Sequence, residues 1–397
     1  MGRLTGMDQR RTLSRNGRRT IDAHLDLGWS ALGWDRDLTL SLDELRRRER
    51  HMTDHRARGN ATVTIDELRR GCIAVCFATV LARAVPPGGA LPPSVELATP
   101  AQQVGIPTDG SPRSALDHPT REHAYAAAQG QLAYYRQLEE QGYVTLILTR
   151  SQLDAHWQRW STKDAKPHEL PIGLILTMEG ADPIVTPEQS SRWYEQGLRA
   201  VGPVHYGRSA YAVGTGFEGA MTKAGHALLR EFEQLNMILD VTHLSDESFT
   251  DALEHFDGRV IASHHNCRAL VPRQRQLTDD QIRRLIERDG VIGLALDAWM
   301  LHSECQAGQG MGDIVDLEAA ADHIDHICTL AGTSRHSGIG SDLDGGFGRE
   351  QTPSGLDTIA DLQKLDGILE RRGYSNEDRD LIFHGNWLRL LRETLPQ

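Results

Sequence analysis

Gly71–Leu81 reads GCIAVCFATVL and Ile172–Glu179 reads IGLILTME, and these two runs constrain the fold more than anything else in the chain. A strand with one wet face alternates polar and apolar residues. A run that stays apolar is buried on both faces, as in a parallel sheet covered by helices. Parallel neighbours cannot be joined by a tight turn, so crossover helices must alternate with the strands.

The chain follows that pattern. Strand-length runs begin near residues 20, 72, 172, 198, 238, 260, 291 and 337. Helix-compatible stretches fall between or after them, at Leu40–Arg70, Arg121–Gln141, a polar segment reaching Lys166, Thr222–Gln234, Asp279–Arg288, Asp316–Leu330, Leu356–Arg371 and Asn376–Leu391. Eight strands with crossover helices predict an α/β fold, a (β/α)8 barrel of the TIM type. Tyr143–Thr149 is a ninth candidate, read as an accessory strand. The rival, an open doubly wound sheet, lacks its commonest fingerprint, a Gly-x-Gly-x-x-Gly turn after the first strand.

A chain of 397 residues suits one large barrel with insertions. Residues 1–19 hold six arginines, one acid and no apolar core, which excludes a secretory signal and reads as a disordered tail. Residues 20–397 then form a single domain. Val85–Pro119 holds half the chain's prolines and reads as a proline-rich surface insertion near a binding mouth. A net charge of −12 argues against a nucleic-acid partner. No apolar run reaches the length of a membrane span. Five cysteines in no metal-binding pattern fit reduced thiols in the cytoplasm.

The reactive residues share one kind of position. In Thr20–Asp26 (TIDAHLD), His24 and Asp26 are two apart, so a strand sends both side chains from one face. Asp26, Glu179, His205, His243, His264 and Asp342 all stand at the C-terminal ends of separate predicted strands. In a barrel those ends converge on the face that carries active sites. Any one of them alone could equally serve a loop backbone. As a set, imidazoles with carboxylates suit Zn²⁺, Mn²⁺, Co²⁺ or Fe²⁺ and exclude a thiolate site. A carboxylate such as Glu179 can bridge two cations about 3.5–4 Å apart, and water held between them becomes a nucleophile near neutral pH. That chemistry hydrolyses amides, esters or phosphoesters. His265, one residue past His264, should point away and pack. His302, His323, His326 and His336 read as solvated or satisfied, and Asp344, before Gly345-Gly346, as a turn cap.

These motifs carry a resemblance. Asp22–Leu27 (DAHLDL), Met178–Gly180 (MEG), Asp240–Ser245 (DVTHLS), Ala262–Leu270 (ASHHNCRAL), Gly338–Gly345 (GIGSDLDG) and Gly385–Leu390 (GNWLRL) together resemble the renal (membrane) dipeptidase family, metallopeptidase family M19 of the amidohydrolase superfamily. The likeness runs from about residue 20 to 391. It implies two divalent metal ions, zinc first and manganese or cobalt next. His24 and Asp26 would hold one, His243 and His264 the other, with Glu179 bridging. Asp342 would move the catalytic proton, His205 would steady the oxyanion, and Arg275 would grip the substrate's terminal carboxylate. The likeness further implies a dipeptide-like substrate and a homodimer.

The chain departs from the family in places. Leu25 stands between the first two ligands where the family usually has Asn, and Glu179 is followed by Gly180-Ala181-Asp182 rather than Gly-Gly-His. The strand before His205 (AVGPVH) also diverges. These changes surround the substrate pocket rather than the metal ligands. The chain also shows no C-terminal apolar tail, so a lipid-anchored form is not expected. The leading expectation is a cytoplasmic binuclear metallo-dipeptidase. Alternatives on the same metals are N-acyl-D-amino-acid deacylation or lactone hydrolysis, and a non-catalytic barrel scaffold stands as the third.

Overall fold

A computed structural model describes residues 17–85, 116–306, 308 and 312–397. Residues 1–16 of the expected tail and 86–115 of the proline-rich insertion lie outside them. Arg18, at the expected end of that tail, is anchored. Its Nε lies 2.8 Å from Asp366 Oδ1 and its backbone N–H donates to Gln363 Oε1 at 2.7 Å.

Eight parallel strands form the barrel: β1 Thr20–Leu25, β2 Ile73–Leu81, β3 Ile172–Glu179, β4 Leu198–Gly202, β5 Ile238–Asp240, β6 Val260–Ile261, β7 Ile292–Leu294 and β8 Ser337–Ile339. Each pairs with the next through β6, β7 pairs with β8, and β8 returns to β1 through Asp22 and Ile339. Between β6 and β7 the ladder shrinks to one bridge, Ala262 with Ile292, flanked by Ala262 N–H to Val291 O at 3.0 Å and Gly293 N–H to Ala262 O at 2.8 Å. The predicted strands thus stand where expected, but those after β4 are only two or three residues long.

The short strands explain why the closing seam depends on glycine. A Cβ at Gly293 or Gly340 would collide with the Ser263 carbonyl, so only a bare backbone lets β6, β7 and β8 approach. By contrast β2 and β3 are buried along their whole lengths, as their unbroken apolar runs require. Their register sets Glu179 level with Leu81 on one side and Gly202 on the other, which brings the strand ends to one rim.

The accessory strand lies in this sheet. Val144–Leu146 pairs in parallel with Ile172–Leu174, occupying the edge of β3 below the point where β4 begins to pair. Behind the strands, Trp387 is fully buried, meets Phe77 at 5.4 Å between ring centroids, and donates Nε1–H to Ile339 O at 3.0 Å. Truncating such a residue costs about 3–5 kcal/mol. Trp387 sits on Asn386–Thr394, the last of three pieces into which the predicted 376–391 helix divides, a π turn over Leu381–Gly385 separating it from Asn376–Asp380. The predicted 40–70 helix is likewise two, Leu42–Glu49 and Ile65–Arg70. Helices over Leu27–Gly33, Ser190–Glu195 and Asp246–Glu254 have no counterpart in the sequence reading.

Candidate metal centre

Each residue reaches the rim by a local device. Glu179 ends β3, and His24 is the second-last residue of β1. Asp26 follows as the N-cap of the Leu27–Gly33 helix. His243 and Asp342 lie just past their strands in the left-handed region, at φ +70° and +59°. Such backbone costs a non-glycine residue about 1–3 kcal/mol and concentrates at functional sites, where neighbours hold it in place.

The side chains meet. His243 Nε2 lies 2.9 Å and His264 Nε2 3.3 Å from Glu179 Oε1, and the two nitrogens are 3.2 Å apart. On its other oxygen, Glu179 faces His24 Nε2 at 3.7 Å. That nitrogen is also 3.7 Å from Asp26 Oδ1 and 3.8 Å from Asp342 Oδ1. Three triads overlap, His24–Asp26–Glu179, Glu179–His243–His264 and His24–His264–Asp342, with Glu179 common to the first two. His205 stands beside the second, its Nε2 3.8 Å from Glu179 Oε1 and its ring 4.4 Å from that of His243.

The donors fit divalent cations. Ligands on one tetrahedral ion with bonds of about 2.0–2.1 Å sit roughly 3.3 Å apart, a value bracketed by the 2.9–3.3 Å of the Glu179–His243–His264 set and the 3.7 Å that separates His24 from Asp26 and Glu179. The buried Nε2 of His24 has no hydrogen-bond partner among the described residues, although it is surrounded by three carboxylates. Imidazole and carboxylate together form a borderline-hard donor set.

The electrostatics agree. Burial opposes a charged imidazole at His24, but Glu179, Asp26 and Asp342 overcome it and push its pKa up to about 10. The centre of the carboxylate ring is therefore a place that demands positive charge. Burial lifts Glu179 and Asp342 well above the ordinary carboxylate range, with His24 pulling both back. Burial also holds His205, His243 and His264 well below the ordinary imidazole range, reinforced at each by the charge of Arg275. Neutral imidazoles keep the lone pair that ligation needs.

A second layer fixes the rings, and the sequence reading missed it. Ser263 Oγ lies 2.9 Å from His264 Nδ1 and 3.4 Å from His24 Nδ1, and Thr215 Oγ1 lies 3.4 Å from His243 Nδ1. Thr79 donates its hydroxyl to Asp26 Oδ1. Asp22, fully buried, accepts the backbone N–H of His24 at 3.2 Å and that of Ser341 at 2.9 Å, tying the ends of β1 and β8 together. Partners of this kind set tautomer and ring orientation at metal sites. The one available signal was the spacing of Asp22, two before His24 on the same strand face.

Around the centre opens a cleft of about 480 Å³, with Trp29, Leu81 and Phe347 among its apolar walls and Arg275 among its polar ones. Arg275 is buried. Its Nη2 donates to His264 O at 3.1 Å, while Nε and Nη1 have no acceptor among the described residues.

The remaining sequence candidates lie elsewhere. His323 Nδ1 accepts Cys267 N–H at 3.1 Å, His336 Nδ1 meets Gly290 O at 2.9 Å, and His326 Nε2 meets Asp279 Oδ1 at 2.7 Å. Exposed Glu304 donates its N–H to His302 Nδ1 at 3.3 Å. Asp344 caps a distant loop rather than its own turn: it accepts Thr62 N–H at 2.9 Å and Val63 N–H at 3.0 Å, and pairs with Arg36. His265 does more than pack, because its Nε2 bonds the carbonyl of Arg275.

Comparison with known proteins agrees with this geometry. The model of a family described as membrane dipeptidase (peptidase family M19) matches residues 9–395. Dipeptidase aclJ of Aspergillus oryzae is 31% identical over 225 residues, which are 55% of this chain and 51% of that protein. The alignment thus spans about half the length of that relative. Among solved structures, dipeptidase AC, a metallopeptidase of family M19, superposes with a TM-score of 0.73 at 22% identity, covering 96% of this chain and 100% of that one. A metallopeptidase from Rhodobacter sphaeroides, solved with a phosphinate mimic of the dipeptide L-Ala-D-Ala, gives 0.71 at 22% identity over the same shares.

Proposed function

That this chain belongs to the membrane dipeptidase family, peptidase family M19, is the premise from which we propose its reaction: metal-dependent hydrolysis of the amide bond of a dipeptide. The chain is a metallo-dipeptidase that uses two divalent ions, zinc first, with manganese or cobalt able to replace it. His24 and Asp26 would hold one ion and His243 and His264 the other, with Glu179 shared between the two sets. The observation that carries this reading is the membership of Glu179 in both of those triads.

When bound, the metal pair polarises the amide carbonyl and makes a water acidic enough to attack near neutral pH. Asp342 takes a proton on a carboxylate oxygen as the carbonyl is attacked and returns it to the departing amine. A carboxyl that burial holds above its ordinary range is suited to both halves of that transfer. His205, at the edge of the second triad, donates a ring N–H to the oxyanion. Arg275 offers unpaired Nη1, with the second hydrogen of Nη2, to the substrate's terminal carboxylate, a planar fork that a guanidinium makes with two parallel bonds.

The unpaired donors of Arg275 favour a substrate with a free carboxylate, which a lactone lacks. N-acyl-D-amino acids do carry one, so deacylation is the second reading. A scaffold is disfavoured because nothing in barrel stability asks for a buried ring of carboxylates around one imidazole. The homodimer and the cytoplasmic setting belong to the same proposal, the latter supported by five cysteines that are all free thiols.

The test is a panel of L,L and L,D dipeptides and N-acyl-D-amino acids given to metal-loaded protein. Cleavage of dipeptides that stops with chelator is the expected outcome. Turnover of the acyl compounds alone would move the assignment to the deacylase.

A further inference from the structure

Away from the cleft, on the outer wall of the barrel, three side chains converge on one point. Asp251 and His255 are four apart, on the Asp246–Glu254 helix and its C-cap, so they share a face. His226 comes from the neighbouring helix, Lys223–Leu235. His226 Nε2 lies 3.0 Å from Asp251 Oδ1, and His255 Nδ1 lies 2.9 Å from the same oxygen. The two imidazoles stack, 4.3 Å between centroids and 21° between planes. None of the three lines the cleft.

We propose that His226, Asp251 and His255 form a separate binding site for a divalent transition cation of the zinc type, independent of the centre at the barrel rim.

Four physical points support it. Two imidazole nitrogens and a carboxylate oxygen are the donor types such ions select, and all three atoms fall within the span of one coordination sphere. A helix that presents two donors four residues apart is a ready chelate, as in metal motifs with paired histidines. The carboxylate is already oriented, since Asp251 Oδ2 accepts the Met221 N–H at 3.0 Å. The site is also open: the side chain of His255 is 51% exposed and that of His226 29%, which leaves room for water to complete the sphere. His255 Nδ1 also faces the Asp251 carbonyl at 2.9 Å, so the ion would replace the proton now shared between them.

Bound zinc is measured by elemental analysis after equilibrium dialysis against Zn²⁺, on the full-length protein and its His226→Ala and His255→Ala variants. Each variant should hold one equivalent less than the parent while keeping dipeptide hydrolysis and the same melting temperature in the presence of chelator. A Glu179→Gln protein, impaired at the rim, should still lose one equivalent when His255→Ala is added, which separates this site from the proposed catalytic one. Equal zinc content in parent and both histidine variants would overturn the proposal.

Discussion

The imidazole of His265 and the guanidinium of Arg275 lock two segments together. His265 Nε2 bonds the Arg275 carbonyl, while Arg275 Nη2 returns a bond to the carbonyl of His264 at 3.1 Å. The residue beside a metal-ligand candidate thus sets the backbone from which the arginine proposed to bind substrate extends. Its own ring is held neutral by burial and by the charge of Arg275.

His265→Leu removes the donor and leaves a buried carbonyl unpaired, a loss of about 1–3 kcal/mol. With Arg275 proposed to bind the substrate's carboxylate and to take no part in bond breaking, the effect should fall on KM, rising roughly tenfold or more, with kcat nearly unchanged. Steady-state kinetics on a cleaved dipeptide check it. A drop in kcat with constant KM would contradict the positioning role.

Removing the metals should abolish hydrolysis and lower the melting temperature together. Without cations the carboxylates of Asp26, Glu179 and Asp342 crowd around a single imidazole, and ions bound only by the folded state stabilise it by about 2.7 kcal/mol at a hundredfold excess over Kd. Differential scanning calorimetry with and without chelator reads the shift. Zn²⁺, Mn²⁺ or Co²⁺ should restore both properties.

Asp182 gives a pH dependence away from the metal ligands. Burial raises its pKa from 3.8 to about 6, against the pull of the Ala84 N–H and of Arg121. Between those values the folded chain keeps a proton that the unfolded chain releases, so stability falls as pH rises through the window. Asp182→Asn should be relatively more stable above pH 6 than at pH 4, by up to roughly 3 kcal/mol. Urea unfolding at both pH values measures the difference, and an equal effect at both would refute it.

Gly340→Ala should be severely destabilising, by roughly 3 kcal/mol or more, because its Cβ meets the Ser263 carbonyl at the closing seam. Gly332→Ala serves as the comparison, with open space at its Cβ and only a positive φ to strain it. The two urea midpoints should separate clearly.

The fold was legible because buried parallel strands leave long apolar runs, and the candidate centre because those runs end in His, Asp or Glu. What escaped depends on pieces far apart in sequence. Asp22 bonds Ser341 across 319 positions and Thr79 reaches Asp26 across 53, so only the spacing of Asp22 from His24 hinted at either. The helices over Leu27–Gly33 and Ser190–Glu195 have seven and six residues, too few turns for an apolar stripe to stand out. The role of His265 was hidden for another reason. Facing away from the metal ligands is what a strand neighbour does, and only the returning loop places Arg275 against it.

One feature of the sheet bears on how long the centre survives thermal agitation. The strand that ends in Glu179 is flanked over its first half by Val144–Leu146, over its second by β4, and over nearly its whole length by β2. Its amide hydrogens should be among the slowest to exchange with deuterium, opening only when the whole barrel does. The short strands of the opposite seam can breathe first. The Glu179 carboxylate would then stay in register while a door on the far side of the barrel swings.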